Sequence, residues 1–195
     1  MKRKVFFLKK RERKVRLKKE YSTIQDMITN FKITVETQDA KVLFKNIKEA
    51  KNNNIYSKQL LFKIAEWKSH RRSSLCLRNN NNKVNSTFQA LESTTNDTER
   101  IKLLRNLQGV GIPVASAILT IYDPKNYGII DYRVWQILYL YELVDTKPKG
   151  VGFSQADWLK YLQIIRNLAN NFKVKARDID RTLFDYHKSL EQRIC

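Results

Sequence analysis

From Ser22 onward, apolar residues recur at helical spacing along nearly the whole chain. Ser22-Thr23-Ile24-Gln25 has the form of a capping box and predicts a first helix start. Asp39 is placed to cap a second helix carrying Val42, Leu43, Ile47 and Ala50, which Lys51 to Asn54 would end. Between the two, Ile33-Thr34-Val35 is locally strand-like. Ser57 caps a third segment with Leu60, Leu61, Ile64 and Ala65. An irregular stretch to Asn85 follows, and its consecutive asparagines, Asn79 to Asn82, predict a surface loop. Helix resumes through Val84, Phe88 and Leu91. Asn96-Asp97-Thr98-Glu99 opens another helix with Ile101, Leu104 and Leu107, ending at Gly109. Pro113 suits the first turn of the next, which carries Val114, Ala115, Ile118 and Leu119 to about Tyr122.

The helix expected from Asp131 to about Val144 is apolar nearly all round through Val134, Trp135, Ile137, Leu138 and Leu140. That pattern belongs to a buried central element. Ser154 starts a long helix with Trp158, Leu162, Ile165 and Ala169 at core spacing. The last helix, from about Ala176, places Ile179, Leu183, Phe184 and Leu190 on one face. The pattern predicts an all-α domain of seven or eight helices over residues 21–195.

Composition supports this and adds charge. Five Gly and three Pro are few for a many-stranded fold, and 42% hydrophobic residues suffice for a core. Lys and Arg total 38 against 19 Asp and Glu, a net charge of +19, which points to a polyanionic partner. Residues 1–20 hold eleven of these cations and two Glu, and read as a basic N-terminal arm, disordered or helical only on its target. DNA contact stands level with the blander reading, a solvated tail or a tail for localisation. Cys76 and Cys195, with His70 and His187, show no disulfide framework and no metal-site spacing, so no metal and no cofactor are expected. The four-residue apolar run after Met1-Lys2-Arg3-Lys4 is too short for a signal peptide. An intracellular location without a membrane partner is expected, and no obligate protein partner is inferred.

The chemistry concentrates in Leu107-Gln108-Gly109-Val110-Gly111-Ile112-Pro113-Val114-Ala115 and in Asp131, twenty residues after Gly111. Two helices joined through Gly-Val-Gly expose backbone N–H groups at a helix N-terminus, which favours an anion. Gly109, Val110, Gly111, Ile112 and Pro113 are therefore candidate contacts to a nucleic-acid backbone, with Val110 and Ile112 anchoring the turn. A plain αα-corner with a glycine cap is the bland alternative. Asp131 reads first as a helix N-cap. A carboxylate there can also stabilise positive charge or activate water in a partly dry cleft.

Residues 99–138 resemble the signature of the helix-hairpin-helix DNA glycosylase superfamily, which includes the endonuclease III-like and 8-oxoguanine glycosylase groups. The resemblance lies in Leu104, Leu107-Gln108-Gly109-Val110-Gly111, Val114-Ala115 and Ile129-Ile130-Asp131-Tyr132-Arg133-Val134. It implies a two-lobed helical fold, hairpin contact with double-stranded DNA, extrusion of a damaged, mismatched or modified base, and N-glycosidic cleavage with Asp131 as catalytic carboxylate. Bifunctional members of that family carry a Schiff-base lysine in the second hairpin helix. The corresponding positions here are Pro113 and Ala117, and Lys102 and Lys125 do not substitute. The cluster-binding cysteines of the endonuclease III-like group are also absent. A monofunctional, cluster-free enzyme is expected. Its alternatives are a non-catalytic module binding structured DNA and an RNA-binding module.

A flipped base needs aromatic faces and polar edges. Trp67, Lys68, Arg72, Tyr127, Tyr132, Arg133 and Asp180 are the candidates for pocket or phosphate contacts, and Trp135 is a further one. Trp67 and Trp135 read first as core residues. The Asn79–Asn82 loop is a candidate for insertion into the duplex.

Overall fold

The computed structural model describes residues 8–10, 13–15 and 17–192. Nine α-helices and one 3₁₀ helix are found among them. These are α1 (Ile24–Phe31), α2 (Gln38–Asn53), α3 (Lys58–Lys68), the 3₁₀ helix His70–Arg78, α4 (Asn81–Glu92), α5 (Asp97–Arg105), α6 (Ile112–Tyr122), α7 (Tyr132–Leu140), α8 (Gln155–Phe172) and α9 (Ala176–Gln192). None of these helices is long and apolar enough to cross a membrane.

The caps explain where helices begin. Ser57, Asn96, Asp131 and Ser154 act as expected, each accepting a backbone N–H within the first turn. Two expectations shift register. Thr23, not Ser22, forms the first capping box, with Asp26. Thr37, not Asp39, caps α2, and Asp39 sits in its first turn, favourably placed for the helix dipole.

The asparagine run is a correction. Asn80 caps α4, which starts at Asn81, so the run is a helix start. Asn79 is buried. Its amide donates to the carbonyls of Cys76 and Gln108 and accepts from the Gln108 N–H at 2.9 Å. It ties the 3₁₀ helix to the Gly-Val-Gly turn and is itself turned away from the surface. Asparagine suits both tasks because its side chain mimics a peptide group.

The basic arm also departs from expectation. Leu8–Lys10 and Arg13–Val15 pair as antiparallel strands β1 and β2, with Leu8 opposite Val15. Nothing in the spacing announces this, since Lys9 faces Lys14 and Lys10 faces Arg13. The remainder of residues 1–16 lies outside the described residues, as does Cys195. Leu17 is already in the core, and the Glu20 N–H reaches the Tyr186 hydroxyl on α9.

The core gathers around α6 and α7. Helix α6 is buried from Ala115 to Tyr122 and packs against α2, α3, α5 and α8, while α7 packs on α9. The small side chains of Ala115, Ser116 and Ala117 let neighbours approach closely. Ser116 does more, because its Oγ accepts the Ile130 N–H at 3.2 Å. Gly128, on the same connection, lies where a Cβ would stand 2.6 Å from the Tyr161 hydroxyl. The chain leading to Asp131 is thus threaded tightly between α6, α8 and α9.

His187 on α9 is sealed in this core, bonded through Nε2 to Gln136 Oε1 at 2.7 Å, with no hydrogen-bond partner at Nδ1. Burial, helped by the nearby Arg133 charge, pushes its pKa down to about 4. The unfolded chain takes up this proton near the ordinary value of about 6.5, and the folded chain only near 4. Stability is therefore expected to fall as pH drops through that window, by ~3 kcal/mol from this group. Urea midpoints at about pH 7.5 and pH 4.5 should diverge less in His187→Gln than in the wild type. Equal divergence would remove His187 as the cause.

Candidate functional site

Asp131 holds the N-terminus of α7, where its Oδ1 accepts the Arg133 N–H at 3.0 Å. Its other oxygen receives the Lys68 ammonium at 2.6 Å. The carboxylate keeps 17% exposure, so it caps a helix and still opens to solvent. Burial alone would raise its pKa. The Lys68 charge and hydrogen bond, with the Arg133 N–H and charge, outweigh burial and hold it below the usual carboxylate range. Asp131 is therefore an anion at neutral pH.

It opens into a cleft of about 400 Å³ between the end of α3, the start of α7 and the flank of α9. Trp67, Tyr132 and Phe184 give the cleft aromatic faces. Cations lie over each: Arg177 over Trp67 at 5.6 Å, and Arg133 over Tyr132 and Phe184 at 4.5 and 5.3 Å. Arg181 and Lys188 line the same space. The result is a partly apolar, cation-rimmed chamber with one ionised carboxylate. Such a chamber accepts a flat ring next to a phosphate and can stabilise a positive charge that develops beside Asp131.

One wall is held by a buried ionic network. Asp180 on α9 is 1% exposed, accepts the Tyr161 hydroxyl at 2.9 Å, pairs with Arg177 and receives the Ile129 N–H. Burial raises its pKa despite those partners. Arg177 in turn makes a bidentate pair with Glu36, and Arg181 shares the same carboxylate at 2.8 Å. The network clamps residues 128–131 to α9 and so aims Asp131.

The hairpin forms a second groove of about 500 Å³. Gly109 turns with φ +82°, and a Cβ there would stand 2.9 Å from the Cys76 backbone N and Sγ. Val110 and Ile112 are buried anchors, while Gly111 caps α6 with its N-terminal side open. Arg71, Arg72 and Ser73 from the 3₁₀ helix face this turn. Gly109→Ala is expected to cost about 2–4 kcal/mol from strain and overlap with Cys76. Gly111→Ala, with no contact nearer than 4.0 Å, should be close to neutral in urea denaturation. Similar losses for both would discard this account of the turn.

The expected site residues thus divide among three places. Asp131, Trp67, Lys68, Tyr132, Arg133 and Asp180 meet at the cleft, although the Asp180 carboxylate is consumed by its buried partners. Arg72 lies at the hairpin groove with Gly109, Val110, Gly111 and Pro113. Tyr127 is in neither. It is 2% exposed, stacks on Trp158, donates to Asp97 at 2.7 Å and receives Arg100, so it is a core residue. Trp135 is likewise sealed, with its indole N–H on the Thr146 carbonyl. Sequence reading missed Glu36, Arg177, Arg181, Phe184 and Lys188. Phe184 had a signal as an apolar position on α9, and Arg177 and Arg181 flank Asp180 in the charge-rich start of that helix. The charged ones act through partners up to 145 residues away. Among the described residues no group of three or more His, Cys, Asp or Glu side chains is placed to hold a metal ion.

Comparison with solved structures decides the fold. The Methanocaldococcus jannaschii 8-oxoguanine glycosylase/lyase, solved in complex with a 15mer DNA containing 8-oxoguanine, aligns over 84% of this chain and 76% of its own, with TM-score 0.50 and 20% identity. This is a helix-hairpin-helix DNA glycosylase fold. The sequence resemblance extends to the 8-oxoguanine DNA glycosylase/AP lyase of Korarchaeum cryptofilum, 29% identical over 82 residues. That match spans 42% of this chain and 38% of the archaeal protein. No family model matches the chain. On that fold this chain carries a Gly-Val-Gly turn feeding a buried helix and an aspartate capping the next.

Proposed function

We propose that the protein excises a damaged or modified base from double-stranded DNA inside the cell, with Asp131 as the catalytic carboxylate. The observation that carries this reading is an ionised Asp131, capping α7 yet open to an aromatic and cationic cleft. The hairpin turn and the Arg71–Arg72 pair would hold the DNA backbone through N–H groups and charge. The extruded nucleotide would enter between the aromatic faces. As the N-glycosidic bond lengthens, positive charge grows on the sugar, and the fixed carboxylate stabilises it. Both proteins reported above are named for 8-oxoguanine, which makes that base the first substrate to test.

The test is incubation with duplexes carrying 8-oxoguanine, uracil, alkylated or hypermodified bases, followed by alkali to break abasic sites. Strand breaks on one of these duplexes are expected. Intact DNA binding with no break on any of them would leave a non-catalytic module, and preference for RNA in competition would redirect the reading to RNA. Gly111→Ala should weaken duplex binding without loss of stability, because a methyl group would fill open space at the N-terminus of α6, where a phosphate would approach.

A further inference from the structure

The hairpin segment from Leu107 to Ile121 carries no amine and no thiol. The cleft offers one from another helix. We propose that Lys68 is the nucleophile of this site, its amino group attacking C1′ of the deoxyribose to form a covalent imine. The inference rests on the excision reading above.

Three observations converge on Lys68. It is the last residue of α3, and its Nζ lies 2.6 Å from Asp131 Oδ2. Its side chain is 12% exposed, enough to reach a sugar in the cleft while shielded from bulk water. The other cleft cations do not match it. Arg133, Arg177 and Arg181 carry guanidinium groups, whose delocalised nitrogens do not act as nucleophiles. Lys188 lies exposed at the rim, 5.8 Å from the Phe184 ring.

The step balances without a co-reactant. The Lys68 ammonium gives one proton, through Asp131, to the departing base nitrogen. The C1′–N bond breaks with its electron pair on the base, and the Nζ lone pair forms the new C1′–N bond. A second Nζ proton moves to O4′ as the C1′–O4′ bond opens, leaving a positively charged C1′=Nζ imine. The Asp131 anion sits beside that charge at each stage. A lysine held against a carboxylate in a partly dry cleft is positioned for this task, because the pair keeps the amine in place and the carboxylate passes its proton on to the departing base.

The experiment incubates the full chain with a duplex bearing a single abasic site and sodium borohydride, which reduces an imine to a stable bond. A covalent protein–DNA band is expected, with the DNA remnant mapping by mass spectrometry to the peptide holding Lys68. The band should be lost in Lys68→Arg, which keeps the positive charge beside Asp131, and retained in Lys188→Gln. Circular dichroism melting checks that Lys68→Arg folds. If it does not, the mapped peptide of the wild type decides alone. No band with the wild type, or a band mapping to another amine, overturns the proposal. Base release on the damaged duplexes, revealed by alkali, is scored separately. Release without a band means a water-driven, monofunctional enzyme. A band without release on any duplex keeps Lys68 as nucleophile and rejects the excision reading.

Discussion

Asparagine in place of Asp131 is expected to lower base release by about 10²–10⁴-fold while the chain still folds and binds duplex DNA. The substitution separates two roles of one side chain. Asparagine caps a helix as well as aspartate does, so the Oδ1 bond from the Arg133 N–H at 3.0 Å survives. What disappears is the negative charge facing the cleft. Lys68 then lacks its anion at 2.6 Å, which should cost about 1–3 kcal/mol. DNA binding should hold or strengthen, because one repulsive charge near the phosphates is gone. Alkali-revealed strand breaks, urea denaturation and gel shift on the same preparation check the three statements. Wild-type rates of base release in the variant would end the catalytic role of Asp131 and leave it a cap.

Arg177→Met should be the most destabilising single substitution of the cleft, at about 3–5 kcal/mol near neutral pH. Arg177 is 8% exposed and neutralises two carboxylates at once. Methionine fills much of the volume and removes the charge. Glu36 retains Arg181 at 2.8 Å, so the damage falls on Asp180, left 1% exposed without a cation. The carboxyl of Asp180 already titrates above its ordinary value because burial exceeds its stabilising partners. Without Arg177 it will titrate higher still.

The sign follows. A carboxyl with a raised folded pKa binds its proton more tightly folded than unfolded, so stability falls as pH rises through the window between the two values. Arg177→Met should therefore recover part of its loss at about pH 5, against the wild type at the same pH. Arg177→Met with Asp180→Asn should recover most of it, since the buried charge is then absent. Urea midpoints of the three proteins test this. A loss below about 1 kcal/mol, or no rescue by the second substitution, would mean the pair is not what clamps residues 128–131 to α9.

The helical fold was legible because its determinants are local. Apolar spacing, the caps at Ser57, Asn96, Asp131 and Ser154, and Pro113 in a first turn all act within a few residues. Register slipped by one at Thr23 and by two at Thr37, where neighbouring residues compete for the same N–H groups. The Gly-Val-Gly turn and Asp131 were legible for the same reason, since a positive φ and an N-cap are demands of single positions. Tyr127 was misplaced because an aromatic near a motif reads the same whether it faces a cleft or a core. Asn79 was misplaced because a run of asparagines does not reveal which one turns inward.

The sequence by itself therefore determined a helical chain with a Gly-Val-Gly hairpin and an aspartate at a fixed distance after it. The tertiary structure alone decided what stands opposite that aspartate. Lys68 reaches it from 63 residues away, and the Glu36–Arg177–Asp180 network that aims it joins α9 to the segment before α2. Such pairs leave no periodic trace, because a charge that finds its partner across the fold obeys no local spacing. Burial then sets what each pair is worth, and burial exists only once the helices have packed.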